Sequence, residues 1–198
     1  MNRNIILIII ITLVLLIFLF LINFNDKHTK NATNQEISKE EYTVIDYGDD
    51  YNEVINQVQK PNDIINFLNN NNFKYISSDN DSDDSDVDLE KFYNSKQGRD
   101  IDFAFFIGKS LAKNYIPFLF AYEDNYKTFY VVAFRDDDLP KYIYVDNQGV
   151  HMVHHGWSFN DLCKKEEERL GIKIQRYGTL FLSSGELETL ESIDWVSY

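Results

Sequence analysis

Cysteine is almost absent from this 198-residue chain, which contains Cys163 and no other. A single cysteine excludes an intramolecular disulfide and every metal site that needs two or more thiolates. Basic residues are also few: 19 Lys and Arg stand against 32 Asp and Glu, so the formal net charge is −13 at pH 7. A field of that sign repels phosphate. We therefore expect neither nucleic acid nor an anionic membrane surface as a partner.

The longest apolar run is residues 5–22, in which Thr12 is the one polar residue. Eighteen helical residues extend roughly 27 Å, close to the ~30 Å of a bilayer core. The alternatives are a secretory signal, whose apolar region is usually about 7–15 residues long, and a helix buried in a soluble core. No small-residue cleavage site follows, because Ala32 is the first alanine and Lys30 holds the other position that needs a small side chain. The run therefore predicts an uncleaved, single-pass transmembrane anchor.

The short N-terminal tail before this run fits a signal-anchor whose N-terminus is cytoplasmic, so we expect an extracytoplasmic or lumenal domain. Residues 23–42 are polar and predict a linker. Residues 43–198 are enough for one domain with its own core. If that domain enters a secretory pathway, Asn31 and Asn80 each begin an N-glycosylation triplet.

Helical patterns precede strand patterns along the domain, which predicts an α+β fold. Phe103, Phe106, Ile107, Ser110 and Leu111 form one largely apolar helical stripe. Aromatic and β-branched residues then predict a run of strands. The predicted helices are residues 61–68, 86–93, 102–114 and 158–170, and the predicted strands are 42–47, 73–76, 118–122, 128–135, 141–145, 149–153 and 172–182.

Residues 89–106 contain a motif that resembles the nucleophile region of transglutaminase-like cysteine proteins. In that family a short helix leads into a Lys-x-Gly-x-Cys-x-Asp-Phe-Ala pattern that opens a long helix. Lys96, Gly98, Asp102, Phe103 and Ala104 match this pattern. The similarity covers residues 60–155 and implies a transglutaminase-like domain of papain-like fold, with helices packed on an antiparallel sheet.

The resemblance also implies where catalytic residues would fall, and this chain departs from the family there. Asp100 occupies the cysteine position, and the histidine position falls at Phe129 or an adjacent residue. Asp146 corresponds to the Asp or Asn that orients the catalytic histidine in that family. Alternatively, Asp146 is a turn residue. Without thiolate and imidazole the family chemistry has no nucleophile or base. We expect Asp100 to cap its helix, and Asp146 to have no histidine to orient.

These departures favour a non-catalytic domain, a pseudoenzyme, that needs no cofactor and binds a protein or peptide ligand. A purely structural surface component fits the same sequence features as this binding domain. The alternative is an active hydrolase or acyltransferase with a different constellation, in which Cys163 is a displaced nucleophile near His151, His154 or His155. Cys163 lies on the apolar face of its predicted helix, however, which favours a buried structural thiol.

Two metal hypotheses are weak. Asp79, Asp81, Asp83 and Glu90 occupy positions one, three, five and twelve of a calcium loop, but Asp84 replaces the glycine required at position six. A solvated acidic loop fits this segment better. Histidines 151, 154 and 155 suggest zinc, yet adjacent strand residues point to opposite faces. We predict a surface turn before Gly156 and no metal.

Overall fold

The computed structural model describes residues 44–46, 48, 50–77, 87–182, 190 and 193–198. All of them belong to one structural unit, Tyr42–Tyr198. The predicted anchor at residues 5–22 and linker at residues 23–42 lie outside the described residues, as do Asn31, Asn80 and most of the acidic loop. Among the described residues, no helix has the length and hydropathy needed to cross a membrane.

The described part of the chain contains five helices and eight strands, so the domain is α+β. The helices are α1 Tyr51–Gln57, α2 Pro61–Asn70, α3 Leu89–Ser95, α4 Asp100–Leu111 and α5 Phe159–Leu170. The strands are β1 Lys74–Tyr75, β2 Gln97–Gly98, β3 Phe118–Glu123, β4 Thr128–Asp136, β5 Leu139–Asp146, β6 Gly149–His154, β7 Arg176–Phe181 and β8 Asp194–Ser197.

Six strands form an antiparallel sheet in the order β6-β5-β4-β3-β7-β8, and β1 pairs with β2 in a small parallel pair. The β4–β5 hairpin turns through Asp137 and Asp138, both with positive φ. The predicted antiparallel sheet, with its strands from residues 128–135 and 141–145, is confirmed.

Helices and loops pack on both faces of the sheet, so successive residues of a strand are buried on opposite sides. Leu119 and Ala121 of β3 join one core with α1–α4, whereas Phe120 and Tyr122 join a second core with Leu162 of α5. This two-sided burial explains why β3 and β4 are continuous hydrophobic segments. The predicted stripe of α4 is buried along its whole length.

Local signals set several helix boundaries as predicted. Pro61 opens α2, and Ser158 caps α5 by accepting from the Asp161 amide while Gly171 ends it with φ 69°. Other predictions were wrong at their edges. Residues 44–46 form no strand, α4 spans Asp100–Leu111 instead of residues 102–114, and the last long strand begins at Arg176 instead of residue 172. Three elements, α1, β2 and β8, had no predicted counterpart.

Candidate functional site

The site that the resemblance implies lies where β4 and β5 separate. The pairing of these strands ends at Val132 and Ile143, so the first residues of β4 pair with β3 alone. The N-terminus of α4 meets β4 in this gap, where the Tyr130 amide donates to Asp100 Oδ2 at 3.0 Å. We call this region the β4–β5 cleft; it is lined chiefly by Tyr75, Asp100, Phe129, Tyr130, Tyr144, Asp146 and Arg169.

Asp100 lies in the first turn of α4, but it is not the residue that caps the helix. Asp102 Oδ2 accepts the Arg99 amide at 2.9 Å, so the capping role expected of Asp100 falls to Asp102. Asp100 instead joins α4 to β4, and its other oxygen accepts the Ile101 amide at 3.0 Å. The positive end of the helix dipole favours a carboxylate there. Asp100 is thus engaged as a hydrogen-bond acceptor on both oxygens.

Phe129 occupies the β4 position where the resemblance places a histidine. Its ring stacks on Tyr122, with centroids 5.3 Å apart and planes 9° from parallel, and Lys127 Nζ lies 4.4 Å from its centroid. A phenyl ring neither accepts nor donates a proton. This position therefore contributes packing and no acid–base chemistry.

Asp146 has a histidine partner, contrary to the expectation. Its Oδ1 accepts the Gln148 amide at 2.7 Å, which is the predicted turn role, and also lies 3.0 Å from His151 Nε2. The His151 ring stacks on Tyr144 at 5.1 Å. Sequence order alone missed this pairing because His151 follows Asp146 on the next strand, where the hairpin register brings the two together.

A buried ionic group closes the α5 side of the cleft. Glu166 is completely buried and accepts from Tyr122 Oη, and its carboxylate receives Arg169 Nη2 at 2.5 Å and Nε at 3.0 Å. Arg169 also lies 4.0 Å from the Tyr144 ring centroid. Burial, and then Glu166, raise the pKa of Tyr122. Its hydroxyl therefore stays protonated at neutral pH.

Sequence reasoning did not single out Glu166 or Arg169. A usable signal was present, because Glu166 follows Leu162 and Cys163 at helical spacing and so lies on the apolar stripe of α5. A charged residue on such a stripe needs a buried partner. Arg169, one turn later, is that partner.

The cleft itself is small. Its volume is about 120 Å³, below the ~300–1,000 Å³ of a usual small-molecule site. Burial, and then the charge of Asp100, raise the pKa of Tyr75 on its wall. The described residues around the cleft thus include carboxylates, tyrosines, an arginine and a phenyl ring, but no thiol.

Cys163 lies away from this cleft and is completely buried in the second core. Burial, with Glu167 as the next cause, raises its pKa to about 12. The prediction that this thiol is buried is confirmed. His154 is exposed, whereas His155 is buried, so the predicted surface turn is wrong for His155.

The calcium hypothesis falls mainly on residues 79–83, outside the described part of the chain. Glu90 is exposed in the first turn of α3. Among the described residues, no three His, Cys, Asp or Glu side chains come close enough together to hold a metal ion.

No protein-family model, curated protein or solved structure matches this chain significantly. The transglutaminase-like resemblance therefore stays a prediction from the sequence motif.

Proposed function

We propose that this chain is a membrane-anchored, non-catalytic domain of the transglutaminase-like class that binds a protein or peptide. One observation carries the proposal: Asp100, Phe129 and Asp146, which are far apart in sequence, line the same cleft. The motif predicts this convergence. The membrane anchor at residues 5–22 remains the part of the proposal argued from sequence alone.

The chemistry of the cleft supports a loss of catalysis. Acyl transfer of this class needs a thiolate next to an imidazole, which a third group orients. Here the residue at the helix N-terminus is a carboxylate whose oxygens already accept two backbone amides. The facing residue is Phe129, packed on Tyr122. These contacts give the cleft a structural role in joining α4 to the sheet.

The alternative hydrolase needs a nucleophile elsewhere. The Asp146–His151 pair resembles an oriented base, which is the one feature that favours this alternative. Cys163 is a poor nucleophile at neutral pH, because its thiol is buried and its pKa is raised to about 12.

A turnover assay tests the proposal. The full-length chain in lipid nanodiscs is incubated with chromogenic esters, fluorogenic peptide amides and a glutamine-plus-amine pair. We expect rates equal to those of empty nanodiscs. Turnover that is lost in Cys163→Ala, Asp100→Asn or His151→Ala would overturn the proposal and identify the nucleophile or base. Turnover unchanged in all three variants would also count against it, since the activity would then lie elsewhere in the domain.

A further inference from the structure

A large concavity among the described residues lies at the opposite end of the sheet from the β4–β5 cleft. It is about 790 Å³, a volume typical of ligand sites. It lies between the end of β4, the start of β3 and the N-terminus of α5. We call it the aromatic groove, lined chiefly by Tyr115, Phe118, Phe134, Trp157, Phe159 and Phe181.

Large apolar side chains are exposed around this groove. Trp157 is 78% exposed, Ile116 64% and Phe181 56%, and all three line the same concavity. Scattered exposed apolar residues need no explanation, but a contiguous set around a groove marks an interaction surface. Tryptophan in particular supplies much of the binding energy at protein interfaces.

One buried polar group on the groove wall is incompletely bonded. His155 is 7% exposed, and its Nδ1 has no hydrogen-bond partner among the described residues. Buried polar atoms are nearly always satisfied, so this atom is an exception. Less than 1 Å² of it is exposed, so it lies behind the groove surface and is not itself a contact for a bound partner.

The charges around the groove decide which kind of partner fits. Asp136 and Asp137 lie on its rim, with Arg135 as the one cation among the lining residues. Asp136 is paired with Lys141 at 2.6 Å, whereas Asp137 has no ion pair within the described region. The whole chain carries a net charge of −13. Such a field attracts cationic partners and repels acidic ones.

We propose that the aromatic groove binds a basic peptide segment of a partner protein, with an apolar or aromatic side chain seated between Trp157 and Phe181 and flanking Lys or Arg residues beside Asp137. Exposed aromatic residues also suit binding to a membrane surface. The concave shape and Asp137, whose carboxylate has no ion pair among the described residues, favour the peptide. This inference rests on the proposal that the domain binds rather than catalyses, and it adds the site and the class of ligand.

A peptide-display selection tests the inference. A random library is selected on the full-length chain in nanodiscs, and the enriched peptides are synthesised and titrated. We expect them to combine a Trp, Phe or Leu anchor with neighbouring Lys or Arg. Trp157→Ala should weaken their binding at least tenfold. Asp137→Asn, which keeps a side chain that tolerates the positive φ of 49°, should weaken binding about two- to threefold at low salt.

Tyr126→Ala is the matched control. Tyr126 is an aromatic residue of similar exposure, 82%, which does not line the groove. Its removal should leave binding unchanged. Failure to enrich any sequence class, enrichment of acidic peptides, or equal loss of binding in Tyr126→Ala and Trp157→Ala would overturn the inference.

A second measurement separates the membrane alternative. The chain has two tryptophans, so Trp195→Phe leaves Trp157 as the one fluorophore of that type. We expect no quenching of Trp157 by brominated lipids in the nanodisc; strong quenching would assign the groove to the membrane and overturn the peptide inference.

The two proposals fail in different ways. If peptide binding fails and turnover is absent, only the groove inference is wrong. If groove-dependent turnover appears, the proposed non-catalytic function falls.

Discussion

Cys163 illustrates how burial sets the reactivity of a single residue. With a pKa of about 12, only about one thiol in ten thousand is ionised at pH 8. We expect iodoacetamide to modify the folded protein far more slowly than the urea-unfolded protein, as followed by mass spectrometry. Glutathione at the same pH is the reference thiol. Native Cys163 reacting as fast as glutathione would contradict the buried position.

The burial of His155 should make the free energy of unfolding depend on pH. Burial is the main reason that its pKa is lowered from the usual 6.5. Below about pH 6.5 the unfolded chain therefore binds a proton that the folded chain does not, and the free energy of unfolding falls as pH drops towards the folded-state pKa.

Chemical denaturation between pH 5 and 8 measures this dependence. His155→Gln should flatten the curve between pH 6.5 and the lower folded-state value. His154→Gln, which changes the exposed neighbour, is the control and should leave that part of the curve in place. An identical pH dependence in His155→Gln and the unmodified protein would be inconsistent with a neutral buried imidazole.

At the scale of elements, α5 is joined to the sheet by the Glu166 group. The carboxylate accepts from Tyr122 and Arg169, so its removal leaves two polar groups without their main partner. Breaking a buried ion pair from one side usually costs about 3–5 kcal/mol. Because Arg169 is partly exposed, we expect a loss of about 3 kcal/mol.

Urea unfolding of Glu166→Ala measures this loss directly. Glu168→Ala, at an exposed position on the same helix, is the control and should change the free energy of unfolding by no more than about 0.5 kcal/mol. Equal effects of the two substitutions would show that the buried group does not hold α5 on the sheet.

The elements that sequence predicted well are those with a strong local pattern. The α4 stripe and the capping residues of α5 determined those helices, and aromatic and β-branched runs determined β3–β6. What failed depended on tertiary contacts: β8 is placed by its pairing with β7, the preceding strand, and Asp146 meets His151 only through the hairpin register. The aromatic groove was also missed, because its residues come from four separate segments, at residues 114–118, 133–140, 155–159 and 181.

At the scale of the whole molecule, the proposed anchor predicts how the protein partitions between membrane and solution. The full-length chain should partition into membranes and resist alkaline extraction, because residues 5–22 are apolar and long enough to span a bilayer. A version that begins at Asn34 should remain in the supernatant. Centrifugation followed by immunoblotting measures both. Full-length protein with an intact N-terminus in the soluble fraction would refute the anchor.

We propose that this domain binds a partner and carries no acyl-transfer nucleophile. A nucleophile of that class forms a covalent intermediate with an acyl donor. Intact-mass spectrometry of the folded, full-length protein after incubation with an activated acyl ester tests for such a nucleophile, and peptide mapping locates any adduct. We expect that neither Asp100 nor Cys163 is acylated. A stoichiometric adduct on either residue, formed in the folded protein and absent after unfolding, would contradict it.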